Sequence, residues 1–253
     1  MTPPLPRAFL ERPIAHRALH DGTGRCPENS LNAIRAACAA GYGVEVDIQL
    51  SADGQAMVFH DYGLQRLTGQ SGLVRDATSK DLGQMTLLGG TATVPTLAQC
   101  LTAVAGLVPV LIELKDQDGA LGPEVGALEQ AVARDLASYD GPVAVMSFNP
   151  HSTAAMQDLA PAVCRGLTTC AFTGDEYNDV PADRRKSLSR IADFDRVGAS
   201  FVSHDRTDLS NPALTALKSR NAPVLCWTVR SKAEEKAART VAHQITFEGY
   251  DPA

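Results

Sequence analysis

The sequence predicts an α/β fold, a TIM (β/α)8 barrel with a small hairpin and lid insertion after the second strand. Three observations point there. Short β-rich runs alternate with helical stretches along the chain. The length of 253 residues lies near the roughly 250 typical of the fold. Polar residues close several apolar runs, at the strand ends where barrel chemistry gathers. With 44% hydrophobic residues the chain can bury one large core, and residues 1–253 are expected to form a single domain.

Candidate strands run in order over Pro13–His16, Gly43–Ile48, Ala56–His60, Pro109–Leu114, Pro142–Ser147, Cys164–Thr168, Ala199–Ser203, Pro223–Thr228 and Gln244–Phe247. That is one more than the barrel holds. The link from Leu50 to Gln55 resolves the count, because a parallel crossover needs about a dozen residues and the Asp53-Gly54 pair signals a hairpin. Ala56–His60 is therefore expected to fold back antiparallel on the second strand, leaving eight parallel strands. Helices are expected over Ser30–Ala40, with Asn29 or Ser30 as N-cap and Gly41 just past the end, over Pro123–Ser138 and over Ser231–Ala242. The segment Tyr62 to Val94, rich in Gly, Thr and Ser, reads as a lid rather than a barrel unit.

Composition narrows the function classes. The net charge of −6 comes from acidic and basic residues mixed along the chain, so no broad basic surface is expected and nucleic acid is not an expected partner. No stretch approaches the roughly 18 apolar residues of a membrane span, and Met1 to Arg7 lacks the apolar core of a signal peptide, so a cytoplasmic location is expected. Six scattered cysteines with no CxxC spacing read as reduced, mostly buried small hydrophobes.

The chemistry is carried by four clusters: Ala15-His16-Arg17, Glu45-Val46-Asp47, His60-Asp61 and Glu113-Leu114-Lys115. Glu45 and Asp47, two apart on a strand, face the same way, and two carboxylates side by side repel unless a cation lies between them. Glu113 offers a third oxygen ligand, and such a donor set suits one divalent cation, Mg²⁺ or Ca²⁺, rather than Zn²⁺. The competing reading is a structural network in which Arg17 and Lys115 neutralise the carboxylates; the two histidines favour the metal. His16 and His60 suit a general base and general acid, because imidazole titrates near neutrality and different surroundings set opposite protonation states. His20, His151, His204 and His243 read as locally hydrogen-bonded. Arg17 and Lys115 place positive charge where a phosphate would sit. No P-loop and no GxGxxG is present.

These residues resemble the glycerophosphodiester phosphodiesterase family. The family's opening His-Arg-Gly and Pro-Glu-Asn-Thr are similar to His16-Arg17-Ala18 and Pro27-Glu28-Asn29-Ser30. Its Glu-x-Asp, Asp-Gly and His-Asp look like Glu45-Val46-Asp47, Asp53-Gly54 and His60-Asp61. Its later Glu-x-Lys and Trp-Thr-Val look like Glu113-Leu114-Lys115 and Trp227-Thr228-Val229. The resemblance implies metal-dependent hydrolysis of small glycerophosphodiesters, such as glycerophosphocholine or glycerophosphoethanolamine, to glycerol 3-phosphate and an alcohol. It implies metal ligation by Glu45, Asp47 and Glu113, and catalysis by His16 and His60. It implies substrate contacts from Arg17, Glu28, Lys115 and Trp227. Two departures stand out: Ala18 replaces a glycine, and Glu248 falls where the family commonly ends its last strand in Thr-Asp-x-Pro, with a change of head-group preference expected from it.

Two other functions compete. A lysophospholipase D would need an apolar groove, for which the lid leucines Leu64, Leu67, Leu73, Leu82, Leu87 and Leu88 are candidates, although packing onto the barrel is their expected role. A non-catalytic phosphodiester-binding protein would have no need of both histidines and all three carboxylates. The metal's identity and the oligomeric state are not legible in the sequence.

Overall fold

The computed structural model describes residues 2–21 and 25–253. Its nine strands form one sheet in the order β1-β9-β8-β7-β6-β5-β4-β2-β3, and β1 also pairs with β2, closing eight parallel strands into a barrel. They are β1 (Ile14–Ala15), β2 (Gly43–Leu50), β3 (Ala56–Val58), β4 (Val110–Leu114), β5 (Val143–Ser147), β6 (Cys164–Thr169), β7 (Phe201–Asp205), β8 (Val224–Val229) and β9 (Gln244–Phe247). β3 is the antiparallel exception, with Ile48 opposite Val58 and Leu50 opposite Ala56. Its turn closes through the Ser51 N–H to the Gln55 carbonyl at 3.0 Å, with Gly54 in the left-handed region at φ 74°.

Alternation along each strand sorts the side chains. Val44, Val46 and Ile48 of β2 and Val110, Ile112 and Leu114 of β4 join the cluster between barrel and helices. This leaves Glu45, Asp47, Leu111 and Glu113 on the inner face, with Asp47 and Glu113 as register partners. The lower interior is a second cluster containing Ile14, Leu111, Met146, Phe201 and Leu225. Phe9, from the short helix Ala8–Glu11, plugs it and is fully buried, worth about 1.5–3 kcal/mol of apolar transfer. Gly166 of β6 lies opposite Phe201 of β7, whose ring comes within 2.5 Å of where a Cβ would stand.

Helices cover the outside. Ser30 caps Leu31–Ala40 by accepting from the Ala33 N–H, and Gly41 ends it at φ 72°. The helix expected over Pro123–Ser138 covers Ala127–Leu136, because Gly122 to Gly126 form the loop that turns into it. The helix expected over Ser231–Ala242 ends at Ala238, where i→i+3 bonds tighten the chain. β7 starts and ends two residues later than expected, since His204 and Asp205 continue the ladder against Cys226 and Trp227. Four helices not singled out from the sequence, Leu97–Val104, Pro150–Leu159, Ala182–Ser189 and Pro212–Ser219, fill the remaining connections.

The lid has its own core. Leu64, Val74, Leu82, Leu87 and Val94 pack on Met57 and Phe59, the outward residues of the β3 arm, with Leu67 against them. Leu73 instead lines a side cavity of about 230 Å³ with Gln49, Tyr62 and Gln117, and Leu88 is exposed. Among the described residues, no helix is long and apolar enough to cross a membrane.

Candidate active site

The site forms where the chain leaves β1. Arg17 and Ala18 both take left-handed backbone, at φ 51° and 64°, and this double turn points the Arg17 N–H at Glu45 Oε2, 2.7 Å away. The Ala18 N–H then donates to the Glu45 carbonyl at 2.9 Å. Ala18 therefore keeps a conformation natural to glycine, and its methyl is buried in the helix-side core. Asn29, also at φ 58°, donates from Nδ2 to Asp47 Oδ2 at 2.9 Å and accepts from the Asp47 N–H at 3.3 Å.

Glu45, Asp47 and Glu113 are all buried, with one carboxylate oxygen from each within 4.8 Å of the others. Lys115 Nζ stands 2.7 Å from Glu113 Oε1 and 3.3 Å from Asp47 Oδ1. Burial, then the neighbouring charges of Asp47 and Glu113, push the Glu45 carboxyl well above the ordinary carboxylate range. Burial acts the same way on Asp47, but Lys115, His60 and Arg17 outweigh it and hold that carboxyl far below its usual value. Lys115 is raised in turn, Glu113 and Asp47 overcoming the desolvation that would lower it. The donor set is all oxygen, converges from adjacent strands, and leaves Glu45 short of positive charge. It fits a hard divalent cation.

Each predicted histidine is backed by a carboxylate. His16 Nδ1 lies 2.6 Å from Glu248 Oε2, and His60 Nδ1 lies 2.6 Å from Asp61 Oδ1. The hydrogen bond from His16 brings the Glu248 carboxyl down to about 2, against a weaker opposing effect of burial. Asp61 is likewise held far below its usual value, as His60 and Arg66 overcome desolvation. Both carboxylates are thus ionised acceptors near neutrality, so Nδ1 of each ring carries the proton and Nε2 is the nitrogen left for a reactant. Burial lowers the His16 imidazole below its ordinary value despite Glu248.

His16, Arg17, Glu45, Asp47, His60, Glu113, Lys115 and Trp227 line one cavity of about 210 Å³. The side cavity beside the lid holds neither histidine and none of the three carboxylates. Trp227 is set in the opposite wall by its Nε1–H to the Ser203 carbonyl at 3.0 Å and by an edge contact with Phe148, centroids 5.5 Å apart. Glu28 is absent from this lining; it sits behind Arg17, accepting from Nη1 at 2.8 Å. His204 is fully buried on β7, bonded to Thr169 Oγ1 at 2.7 Å, away from the cavity. Sequence reasoning gave no site role to Asn29, Asp61 or Arg66. The first two lie inside the Pro-Glu-Asn-Ser and His-Asp motifs, whereas Arg66 carried no signal beyond its place in the lid.

Comparison with known proteins bears on this geometry. The model of the glycerophosphoryl diester phosphodiesterase family matches residues 16–245, nearly the whole chain. The chain belongs to that family. It is a glycerophosphodiester phosphodiesterase, a phosphoric diester hydrolase. The Bacillus subtilis (strain 168) protein YhdW is 26% identical to this phosphodiesterase over 228 residues, 87% of this chain and 86% of that one. The glycerophosphodiester phosphodiesterase of Bacillus altitudinis is 29% identical over 159 residues, 59% and 63% of the two chains. Among solved structures, an Oleispira antarctica phosphodiesterase in complex with the product sn-glycerol-3-phosphate superposes with a TM-score of 0.76. It has 22% identity and covers 95% of this chain and 94% of that one. The glycerophosphodiester phosphodiesterase of Thermotoga maritima gives a TM-score of 0.70 at 17% identity, covering 94% of each chain. Both share the barrel fold.

Proposed function

We propose that this phosphodiesterase is metal-dependent and cleaves small glycerophosphodiesters, such as glycerophosphocholine or glycerophosphoethanolamine, to glycerol 3-phosphate and an alcohol. The observation that carries the reading is the meeting, in one cavity, of two carboxylate-backed histidines with a buried three-carboxylate cluster. The product bound to the Oleispira antarctica relative is in keeping with it.

Glu45, Asp47 and Glu113 would hold the cation, which supplies Lewis-acid stabilisation of charge on the phosphoryl oxygens when bound. Arg17 and Lys115 hold the phosphate from the same side. One histidine takes the proton of the free glycerol hydroxyl as that oxygen attacks phosphorus, while the other gives its proton to the departing alkoxide. In the second half the roles reverse: a water proton goes to one ring and the glycerol oxygen of the cyclic phosphate regains a proton from the other. Trp227 and Phe148 form the apolar wall against which the carbon skeleton lies.

The test is release of glycerol 3-phosphate from glycerophosphocholine by the purified protein with Mg²⁺ or Ca²⁺ and a chelator control. Metal-dependent release is expected. Folded protein that releases none with either ion, yet hydrolyses a lysophospholipid, would overturn the substrate assignment.

A further inference from the structure

Arg66 does not line the reacting cavity. It sits on the four-residue lid helix Gln65–Thr68, yet its guanidinium touches two residues that each support a group in the cavity wall. Nε donates to Asp61 Oδ2 at 2.6 Å and Nη2 to Asp61 Oδ1 at 2.8 Å. Asp61 Oδ1 is the oxygen that faces His60 Nδ1. On the other edge, Nη1 donates to Glu28 Oε2 at 2.9 Å and Nη2 to Glu28 Oε1 at 2.7 Å. Glu28 Oε1 is the oxygen that accepts from Arg17.

We propose that Arg66 is a positioning residue for the phosphodiester reaction, a bridge that locks Asp61 behind His60 and Glu28 behind Arg17, so that the seating of the lid sets the alignment of both. The proposal rests on the roles assigned above to His60 and Arg17. Asp61 and Glu28 share the same Nη2, so without the guanidinium two carboxylates repel at close quarters and splay, and each takes its partner with it. The planar fork is what allows one side chain to grip two carboxylates by two bonds each; an ammonium cannot do this. The side chain is 46% exposed, so its ion pairs add little to stability, and its contribution is geometric. Leu64, buried in the lid core just before the helix, and the bond from Thr68 Oγ1 to the Leu64 carbonyl at 2.8 Å give the helix a fixed seat.

The test uses Arg66→Met and Arg66→Lys in the full chain, each alone and with Asp61→Asn. For hydrolysis of glycerophosphocholine, Arg66→Met is expected to lower kcat/KM by about 10- to 100-fold, the usual cost of losing a group that orients a reacting one, with kcat falling and KM rising together. Arg66→Lys restores little of it. In the Asp61→Asn background the same change costs less than that factor, because the arm through Asp61 is already lost and only the arm through Glu28 to Arg17 remains to lose. Equal losses in both backgrounds overturn the proposal, as does full activity of Arg66→Met. A second readout needs no turnover: in ¹⁵N-histidine spectra the Nδ1-protonated His60 signal is expected to give way to a mixture of tautomers in Arg66→Met, while the His204 signal stays in place. An unchanged His60 signal overturns the proposal even if the wild type hydrolyses no glycerophosphodiester, an outcome that on its own counts against the substrate reading instead.

Discussion

Nδ1 of His16 and Oε2 of Glu248 stand 2.6 Å apart across 232 positions of sequence, so the residue after the last strand orients the residue after the first. Glu248 is itself fixed by its N–H to the Val229 carbonyl at 3.0 Å and by Arg230, whose Nε lies 3.4 Å from Oε1. The sequence comparison suggested a link between this glutamate and the head group. The geometry places its carboxylate on the imidazole.

Glu248→Gln is therefore expected to lower kcat by about 10- to 100-fold. The carboxylate favours the charged imidazole, and burial, the larger effect, opposes it. Removing the carboxylate removes only the raising influence, so the limb of the kcat/KM profile that reports His16 moves to lower pH. A limb that stays in place or moves up would contradict the assignment.

Removing the divalent ion with chelator is expected to abolish turnover, and Mg²⁺ or Ca²⁺ to restore it. Binding should also stabilise the fold, by about 2.7 kcal/mol at a hundredfold excess over Kd. Glu113→Gln should weaken both effects together, as seen by calorimetric titration beside thermal melting. Turnover indifferent to chelator would remove the metal from the proposed chemistry.

Asp53 ties the hairpin to the lid, accepting from the Ser79 N–H and from Ser79 Oγ, each at 2.7 Å. The hydrogen bond from Ser51 Oγ and these two bonds from Ser79 bring its carboxyl down to about 2. A carboxyl depressed in the folded state contributes stability that is complete above its unfolded value, near 3.8, and is lost as pH falls toward 2. Asp53→Asn should make the melting temperature fall less steeply with pH in that window and leave its slope above about pH 5 unchanged.

Gly166→Ala forces a methyl against the Phe201 ring and should cost about 1–3 kcal/mol, as overpacking of a core does. Phe201→Leu in the same chain should recover part of the loss. Denaturant melts of the two single variants and the double variant decide it; additive losses would show that ring and methyl do not meet.

Much of this fold was legible because local chemistry and topology agree. The link from Leu50 to Gln55 was too short for a parallel crossover and its Asp53-Gly54 pair signalled a hairpin, and together they reconciled nine strands with an eight-stranded barrel. Gly41 marked the end of its helix, and of the two N-cap candidates, Asn29 and Ser30, it is Ser30 that caps the start. The spacing of Glu45 and Asp47 placed two carboxylates on one face, and the barrel added Glu113. β7 was misplaced because His204 and Asp205 look like a strand's polar end, when the neighbouring ladder against Cys226 and Trp227 carries them on. Glu248 behind His16 and Arg66 behind Glu28 were out of reach for a different reason. Such contacts depend on how distant loops close in space, and no local period encodes them.

His16 stands on the closed wall of the barrel, and His60 on an arm that pairs with that wall from one side only. The same arm lends Met57 and Phe59 to the lid. The two histidines are therefore seated unequally: contacts from Phe247 and Glu248 hold His16 without the lid, whereas the arm that carries His60 is packed on residues of the segment 62–94, so a change in lid packing reaches one ring and not the other.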